Sequence, residues 1–398
     1  MLKVGFIGLG AISHEHVLGY LDSPETDIVA VCGPEKDAAR AWLQKWSLPQ
    51  ARYYSAYEKM LEREPLDLVE ILSPTYLHAA QAVACARAKV KGISLQKPMG
   101  LNLRQCDEII TECASAGTRL KVYENYLFYP VYLKAKELID QGVIGEPMSL
   151  RLHTAGGLRE GAAWPWCWEP RSWRLNQATA GVGPLTGDDG YHKFSLARWL
   201  MGRECERVNA WIETSNPLDA PAFVRVKFKG LPGDCPKYAE IDVSFSTHLS
   251  IPWDFWIDDF AEVVGSKGIM WINQCQGAAD RDFFAGNQMS RSPAFPAIAV
   301  FVDGKVETYL AAVPPEERSW SLSFVKSTKH FIRVLTEGGE PVCSGQEGKE
   351  TLRCILAAML SAQENRDVLL EEITTEAEVS REFEIRSIFC NPQTAGDS

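Results

Sequence analysis

The chain has 398 residues, of which 46% are hydrophobic and 23% are charged, and its formal net charge is −11. This length predicts about two domains, and the composition is typical of a globular protein. The negative charge repels phosphate backbones and anionic lipids, and no apolar run reaches the roughly 20 residues that span a bilayer, so we expect neither a nucleic-acid partner nor a membrane role.

The first 125 residues alternate short β-rich runs with amphipathic helical segments. This alternation predicts βαβ units and a doubly wound parallel sheet, the α/β class. The predicted strands are Leu2–Ile7, Asp27–Cys32, Leu66–Leu72, Gly92–Gln96 and Leu120–Tyr123. The predicted helices are Ala11–Leu21, Lys36–Trp46, Leu77–Ala88 and Leu103–Ala116.

From residue 126 onwards β-rich runs predominate, separated by Gly, Pro and Asp turns. They predict an α+β domain with a large, mostly antiparallel sheet open on one face. The predicted strands are Met148–His153, Val208–Glu213, Phe223–Phe228, Tyr238–Phe245, Phe255–Val264 and Gly268–Asn273. Helices are predicted over Val131–Gln141, Ser321–Thr336 and Glu347–Asn365. The predicted domains are 1–125, for dinucleotide binding, and 126–391, for substrate binding and oligomerisation, followed by a tail over 392–398.

An open apolar sheet face would be a liability in a monomer, so we expect a homodimer or homotetramer. Eleven cysteines are scattered along the chain without a C-x-x-C pair. The first residues, Met1–Phe6, enter a predicted strand at once and lack the features of a secretory signal. We therefore predict a cytoplasmic protein with reduced thiols, no disulfide framework and no zinc site.

A glycine-rich turn lies between the first predicted strand and the first predicted helix, where a dinucleotide fingerprint belongs. Gly8 permits the tight turn, and Gly10 lets the backbone approach a pyrophosphate. The helix start, at Ala11 and Ile12, supplies amides and the positive end of the helix dipole. The third fingerprint position is Ser13 rather than glycine. The turn predicts a bound NAD or NADP.

The choice between NAD and NADP is open at the end of the second strand, where the acidic residue usual in the fingerprint is missing. Glu35 could reach the adenosine ribose from the loop, which favours NAD. Lys36 or Arg40 could instead meet the 2′-phosphate of NADP. Glu35 and Lys36 could also simply form a solvated helix start.

Asp188 and His192 stand four residues apart in the segment Gly187–His192, so they can share one face of a helical turn. Such a pair can bind a metal, carry out acid–base chemistry, or begin a helix with Asp as its N-cap. His14 and His16 form an H-x-H pair, but no third kind of ligand clusters nearby. We therefore predict no metal, with His16 packed at the helix start beside the cofactor.

Several motifs occur in a specific order: Ser73–His78, Gln96-Lys97-Pro98, Tyr126–Pro130, Trp173-Arg174, Gly181-Val182-Gly183, Asp188-x-Gly190-x-His192 and Ala197–Gly202. In this order and spacing the chain resembles the Gfo/Idh/MocA oxidoreductases, the family of glucose–fructose oxidoreductase and inositol dehydrogenase. The resemblance covers nearly the whole chain. It implies a Rossmann domain and an NAD(P)-dependent oxidoreductase acting on CH–OH groups of a sugar, sugar acid, glycoside or cyclitol.

The resemblance also implies that Lys97, Asp188 and His192 flank the substrate beside the nicotinamide. His192 would take the hydroxyl proton, since imidazole titrates near neutral pH. Lys97 would donate to the substrate oxygen and stabilise its negative charge. Asp188 would orient the imidazole or bind a neighbouring hydroxyl, and Asp189 would be a neighbour of the site. No metal is needed, because the nicotinamide carries the hydride chemistry.

Further residues are assigned to the two binding pockets. The predicted cofactor contacts are Gly8, Gly10, Ala11, Ile12, Glu35, Ser73, Pro74, His78, Gln96 and Lys97. The predicted substrate contacts are Lys97, Tyr126, Trp166, Arg171, Trp173, Asp188 and His192. His78 could alternatively cap a helix or pack in the core. The tryptophans of residues 164–173 could stack on a pyranose face or pack a loop or subunit interface, and Arg159 or Arg171 could recognise a carboxylate.

Three residues depart from the family pattern: Gln96 replaces the usual Glu, Ser195 replaces a common Asp, and Gly33 stands near the missing acid. They leave the proton and hydride machinery intact. Two rival functions are an NAD-dependent glycoside-cleaving enzyme with transient oxidation and no net redox, and a non-enzymatic dinucleotide-binding regulator. The intact set of Lys97, Asp188 and His192 argues against the regulator.

Overall fold

The computed structural model describes residues 1–157, 173–213, 218–233, 235–246, 257–273, 296–310, 317 and 319–376. Two compact units make up the chain. The first contains residues 1–125 and 324–352, and the second contains residues 126–323 and 353–398. The first unit thus includes a segment from late in the chain that the predicted division at residue 126 does not assign to it. The predicted tail over 392–398 lies outside the described residues.

The first unit is built around a six-stranded parallel sheet, which confirms the predicted doubly wound fold. Its elements are β1 Leu2–Ile7, α1 Ser13–Leu21, β2 Thr26–Cys32, α2 Lys36–Lys45, β3 Arg52–Tyr54, α3 Tyr57–Arg63, β4 Leu68–Ile71, α4 Thr75–Arg87, β5 Gly92–Gln96, α5 Leu103–Ala116 and β6 Arg119–Tyr123. The strand order is β3-β2-β1-β4-β5-β6. The sequence missed β3 and α3, because three residues are too few to show a strand pattern and seven span only about two turns of helix.

The central strands of the first unit are buried on both faces, as expected for a parallel sheet. Every residue of β4 is buried, including Glu70, which is fully buried. Lys121 on β6 is also buried; its Nζ donates to the backbone oxygen of Ser327 over 2.9 Å and lies 4.0 Å from the centroid of the Tyr123 ring. Burial lowers the pKa of Lys121 to about 7. The core under the sheet therefore contains charged groups that must be held by specific partners.

The second unit is built around a mixed sheet of nine strands within the described residues. Its elements are α6 Pro130–Asp140, β7 Pro147–Gly157, α7 Gln177–Ala180, α8 Tyr191–Met201, β8 Cys205–Ile212, β9 Ala222–Phe228, β10 Tyr238–Ser246, β11 Ile257–Gly265, β12 Gly268–Asn273, β13 Ile298–Val302, β14 Lys305–Tyr309, α9 Trp320–Glu337, α10 Gly345–Glu364 and β15 Val368–Leu369. Residues 324–352 of α9, α10 and their connection belong to the first unit.

The strand order of this sheet is β14-β13-β12-β11-β7-β10-β9-β8-β15. All neighbouring strands run antiparallel except β7 and β10, which pair in parallel. The mostly antiparallel sheet is therefore confirmed, with one parallel pair at its centre that the sequence did not predict. The sequence also missed β13 and β14.

The two faces of the second sheet differ in burial. Along β9, Val224 and Val226 are buried while Phe223 and Arg225 are exposed. Helix α8 packs against β7 and β10, and nearly all of its residues are buried. The exposed face presents aromatic side chains, among them Trp211 and Tyr238. In the described part of the chain, no helix is long and apolar enough to cross a membrane.

Candidate active site

The turn between β1 and α1 contains two glycines that differ in the space available for a side chain. Gly8 has φ +94°, and a Cβ there would lie 2.7 Å from the carbonyl carbon of Leu72, so the position requires glycine. A Cβ on Gly10 would meet no heavy atom within 4 Å. Protein packing therefore does not account for Gly10, whereas close approach of a dinucleotide phosphate to its backbone does. The turn fits the cofactor that the sequence predicts.

Ser13 stands at the third fingerprint position and is fully buried. Its hydroxyl donates to the backbone oxygen of Gly10 over 2.6 Å and accepts from the indole nitrogen of Trp42 over 2.9 Å. The serine thus ties the glycine turn to α2. This bonding gives a structural reason for the departure from the fingerprint.

Alanine at Gly10 is expected to weaken NAD binding, whereas alanine at Gly8 is expected to destabilise the fold. Gly10→Ala should change the free energy of unfolding by less than about 1 kcal/mol, since a Cβ has room there. It should raise the dissociation constant for NAD by at least about tenfold, because the methyl group occupies the space that a phosphate would approach. Gly8→Ala should instead destabilise the fold by about 1–3 kcal/mol. Fluorescence titration with NAD and urea unfolding measure both quantities, and unchanged NAD binding by Gly10→Ala would contradict the assignment.

The end of β2 leads into an exposed helix start. Glu35 occupies the N-cap position of α2 and makes no side-chain capping hydrogen bond. Glu35, Lys36 and Arg40 are all exposed. Glu35 and Lys36 thus lie where the loop after β2 meets α2, and Arg40 lies within α2. The contacts of all three with the cofactor stay predictions.

The loops that follow β4 and β5 are joined by His78, which is 1% exposed. Its Nε2 lies 2.8 Å from the backbone oxygen of Ser73, and its Nδ1 lies 2.9 Å from that of Pro98. The Ser73 hydroxyl donates to Gln81 Oε1 over 2.5 Å, and Pro74 precedes the first residue of α4. His78 therefore has the core role that was one of its two interpretations. The contacts of Ser73, Pro74 and His78 with the cofactor stay predictions.

Gln96 and Lys97 lie half-buried at the carboxyl end of β5, the edge of a parallel sheet where ligands bind. The Lys97 N–H donates to Gln96 Oε1 over 2.8 Å. The Gln96 amide nitrogen lies 3.0 Å from Nε2 of His16, and Nδ1 of His16 lies 2.7 Å from Glu70 Oε1. His14 turns to a different partner, since its Nδ1 accepts from Trp46 over 3.0 Å. The H-x-H pair therefore serves two separate hydrogen-bond networks.

In the second unit, Asp188 lies in a π-helix, Pro184–Asp189, that runs directly into α8. Its N–H donates to the backbone oxygen of Gly183, and that of Gly190 donates to Leu185, each over 2.7 Å. Helix α8 has Gly190 at its N-cap, without a side-chain capping bond. The interpretation of Asp188 as an N-cap is therefore wrong. Single turns of π-helix occur frequently at functional sites.

Asp219 holds the π-helix in place, a role that no sequence motif indicated. Its carboxylate accepts from the N–H groups of Leu185 and Thr186 over 2.7 and 3.0 Å, and its backbone oxygen accepts from the Thr186 hydroxyl over 2.7 Å. Burial raises the pKa of Asp219 to about 7, against the opposing effect of these hydrogen bonds. The partners lie more than 30 residues apart in sequence, beyond the reach of a local motif.

His192 is buried against Tyr126, which follows directly after the first 125 residues. The two rings are nearly parallel, at an interplanar angle of 14° and a centroid distance of 4.2 Å. His192 is 8% and Tyr126 5% exposed. Stacking engages the face of the imidazole, whereas proton transfer uses the nitrogen atoms at its edge. The contact therefore fixes the plane of the ring without opposing acid–base chemistry.

A buried ion pair supports this stack. Lys193 Nζ lies 2.6 Å from Asp259 Oδ2, and the two side chains are 1% and 2% exposed. Tyr126 donates its hydroxyl to the same carboxylate oxygen over 3.3 Å, and Thr154 donates to the other oxygen over 2.6 Å. The Lys193 ammonium also lies 4.7 Å from the centroid of the Tyr126 ring. One carboxylate on β11 thus connects the tyrosine under His192 to the sheet.

Arg174 is a second side chain that sequence reasoning passed over, although it stands in the Trp173-Arg174 motif. Its Nε donates to Asp188 Oδ2 over 3.1 Å, and its guanidinium lies 4.3 Å from the centroid of the Trp173 ring. Trp173 and Asp188 are therefore brought together through Arg174, as Tyr126 and His192 are brought together by stacking. Trp166 and Arg171 lie outside the described residues.

Among the described residues, no group of three or more His, Cys, Asp or Glu side chains is arranged to hold a metal ion. Asp188 is engaged by an arginine, and His192 is engaged by an aromatic ring. This arrangement is suited to organising a proton-transfer site. The arrangement fits the acid–base interpretation of the Asp188/His192 pair better than it fits the metal interpretation.

A parallel sheet whose first strand leads into a glycine turn that fits a dinucleotide is typical of dinucleotide-binding proteins. The model of the oxidoreductase family with an NAD-binding Rossmann fold matches residues 2–124, and the model of the GFO/IDH/MocA C-terminal domain matches residues 132–271. The chain belongs to the Gfo/Idh/MocA oxidoreductase family. Its first unit is an NAD-binding domain, and the predicted class, an NAD(P)-dependent oxidoreductase acting on CH–OH groups, is confirmed.

Known proteins are similar to the chain over nearly its full length. The myo-inositol 2-dehydrogenase of Thermotoga maritima is 26% identical over 380 residues, which cover 94% of this chain and 99% of that protein. The crystal structure of an oxidoreductase from Agrobacterium radiobacter, in complex with NAD+, L-tartaric acid and magnesium, has the same fold, with a TM-score of 0.76 at 20% identity over 94% of this chain and 99% of that one.

A shorter similarity involves a different activity. A glycosyl hydrolase family 109 protein of Parabacteroides distasonis is 29% identical over 152 residues, which are 36% of this chain and 33% of that protein.

Proposed function

We propose that the protein transfers hydride between NAD and a secondary hydroxyl, or the matching ketone, of a sugar, sugar acid, glycoside or cyclitol. The observation that carries the proposal is the stacking of the His192 ring on Tyr126. The Tyr126 hydroxyl in turn donates to the buried Asp259. A histidine with only a packing role would not need a carboxylate, a lysine and a threonine to organise the ring beneath it. The similarity to a myo-inositol 2-dehydrogenase supports a polyol or sugar substrate.

In this mechanism His192 exchanges the hydroxyl proton of the substrate. The neutral imidazole accepts that proton during oxidation and returns it during reduction of the ketone. The stack on Tyr126 restricts rotation of the ring, so its nitrogen edge keeps one orientation. Nicotinamide, when bound, takes up or returns the hydride.

Lys97 acts on the same substrate oxygen as a hydrogen-bond donor. Its ammonium group stabilises the negative charge that grows on this oxygen as the proton leaves. The backbone of Lys97 is held by the side chain of Gln96, which limits the positions open to the lysine side chain. Asp188 and Arg174 form an ion pair beside Trp173, suited to binding the neighbouring hydroxyls of a polyol or the carboxylate of a sugar acid.

The test is turnover on a substrate panel. The purified protein is incubated with NAD or NADP and with aldoses, uronic and aldonic acids, glycosides and cyclitols, and NADH or NADPH is followed at 340 nm. We expect reduction of NAD by at least one polyol or sugar. His192→Asn should lower kcat and remove the corresponding limb of the pH–rate profile, since asparagine cannot exchange a proton. A His192→Asn variant with the same kcat and the same pH profile would overturn the proposed proton transfer.

Transient oxidation without net redox is the second candidate, favoured by the similarity to a glycosyl hydrolase family 109 protein. In that reaction the hydride is returned to the substrate after a glycosidic bond has been cleaved. Chromatography of the products of glycoside incubations separates the two candidates. A released alcohol and free sugar without accumulated NADH would support the second, and a ketone with one equivalent of NADH would support the first.

We also propose that the exposed face of the second sheet is covered by another copy of the chain, in a homodimer or homotetramer. Trp211, Phe223 and Tyr238 are 55%, 41% and 49% exposed on this face, and Trp211 and Phe223 are register partners on β8 and β9. Contiguous exposed aromatic side chains favour association. Sedimentation velocity should give a dimer or tetramer, and Trp211→Lys should shift it towards monomer. A monomeric wild-type protein would contradict this proposal.

A further inference from the structure

A fully buried carboxylate lies beneath the sheet edge that carries Lys97. Glu70, on β4, is surrounded by donors: Nδ1 of His16 lies 2.7 Å from one oxygen, Ser94 Oγ lies 3.1 Å from the same oxygen, and the Tyr20 hydroxyl donates to the other. Burial without such donors would be costly for an ionised group. Glu70 is therefore a fixed acceptor on which a hydrogen-bond network can be oriented.

The tautomer of His16 follows from this acceptor. A carboxylate accepts hydrogen bonds only, so the proton of a neutral imidazole is on Nδ1 and the other ring nitrogen, Nε2, is an acceptor. Burial, the largest effect, and the nearby Lys121 ammonium both lower the pKa of His16, whereas Glu70 raises it. The neutral ring is the form consistent with this environment. Nε2 must then find a donor.

The Gln96 amide supplies that donor and also accepts a hydrogen bond from Lys97. Its amide nitrogen lies 3.0 Å from Nε2 of His16, and its amide oxygen accepts the N–H of Lys97 over 2.8 Å. Only one orientation of the amide satisfies both contacts, because the NH2 group donates and the oxygen accepts. The series of bonds therefore runs with one polarity from the core to the backbone of Lys97.

We propose that His16, oriented by Glu70, is a positioning residue that acts through Gln96 to fix the backbone of Lys97. The catalytic role of Lys97 rests on the proposed function, whereas the polarity of the network rests on distances within the first unit. A glutamate at position 96 would offer only acceptors to the acceptor nitrogen of His16. The network would then be complete only with a doubly protonated His16. With glutamine, it is complete with the neutral ring and does not require that proton.

The first experiment reads the network without substrate. Histidine labelled with 15N is incorporated, and the ring signals of His16 are assigned by their loss in a His16→Phe variant. In the wild-type protein we expect the neutral tautomer protonated at Nδ1. In Gln96→Glu we expect protonation at both nitrogens at the same pH. A wild-type ring protonated at Nε2, or a Gln96→Glu ring that stays neutral, would overturn the proposal.

Other groups that face His16 also affect its protonation. They are Glu70 on β4, Lys121 and Tyr123 on β6 and the aromatic ring of Phe324 on α9, and Tyr20 on α1 is bonded to Glu70. All of them are present in both proteins, so the difference between wild type and Gln96→Glu isolates the new carboxylate. Gln50→Glu, which adds the same charge at an exposed loop position, is the matched control and should leave the His16 signals unchanged.

The second experiment is the pH dependence of turnover on a substrate found in the panel. The ratio of kcat in Gln96→Glu to that in wild type should fall as the pH rises through the point at which His16 loses its second proton, and should then level off. Gln96→Met, which breaks both bonds, should lower kcat by about fivefold to tenfold at every pH and leave KM nearly unchanged. A pH-independent ratio in Gln96→Glu would contradict the positioning role. A protein that shows the expected tautomers but oxidises no polyol would instead contradict the proposed function.

Discussion

Replacement of Lys97 by alanine is expected to lower kcat by about 10²–10³-fold at saturating NAD and substrate. In the proposed mechanism the Lys97 ammonium donates a hydrogen bond to the substrate oxygen, and the change removes this donor. Loss of one such donor lowers kcat by about this factor. Gln96, His16 and Glu70 stay in place, because Lys97 joins their network through its backbone N–H rather than through its side chain. The fold and the pattern of His16 protonation should therefore be unaffected.

The matched control for this variant is Lys59→Ala. Lys59 is on α3 of the same unit and is largely exposed, where it pairs with Glu62. Its removal should leave kcat within about twofold of wild type. Steady-state kinetics and urea unfolding of both variants separate catalysis from stability. A Lys97→Ala protein that retains wild-type kcat would exclude the lysine from the proposed mechanism.

Replacement of Lys193 by methionine is expected to destabilise the protein by about 3–5 kcal/mol, because it leaves the buried carboxylate of Asp259 without its cation. The two groups are almost completely inaccessible to water, so hydration cannot replace the lost partner. Unfolding in urea, followed by circular dichroism, measures the change. The loss should be much smaller when Asp259→Asn is added, since the amide is neutral and its oxygen still accepts from Thr154.

Lys59→Met provides the surface counterpart. Its partner Glu62 lies 2.7 Å away, close to the 2.6 Å of the buried pair, but both side chains are 63% exposed. The expected cost is below about 1 kcal/mol, as for other exposed ion pairs. Similar costs for Lys193→Met and Lys59→Met would contradict the view that Asp259 depends on its buried partner. A lower kcat in Lys193→Met with Asp259→Asn, at restored stability, would show that turnover depends on the ion pair beneath the Tyr126 stack.

The first sheet could be predicted well because its strands are continuous apolar runs. The bounds of β1 and β5 agree with the prediction, since runs such as Leu2–Ile7 are buried on both faces and contrast with their neighbours. Strand β14 was missed for the opposite reason. Four of its five residues are exposed, so the sequence has no apolar alternation to reveal it.

The site could be predicted only where its residues are close in sequence. Asp188 and His192 lie within one short motif, whereas Asp259 reaches Lys193 across 66 residues. A signal for Asp259 did exist. In β11 the period-two pattern places it on the same face as Ala261 and Val263, which are fully buried, and an acid at such a position needs a partner. Local periodicity does not identify that partner, because strand neighbours are set by topology.

The parallel pairing of β7 with β10 has a consequence for when the site forms. Register partners such as His153 and Asp242 are 89 residues apart, and α8, which carries His192, lies in the connection between the two strands and packs against both. Closing such a long connection is an entropically costly and slow step of folding. During synthesis the helix has both of its strands only after the ribosome has released residues up to Ser246, the end of β10. His192 therefore cannot reach its packed position until β10 has been synthesised.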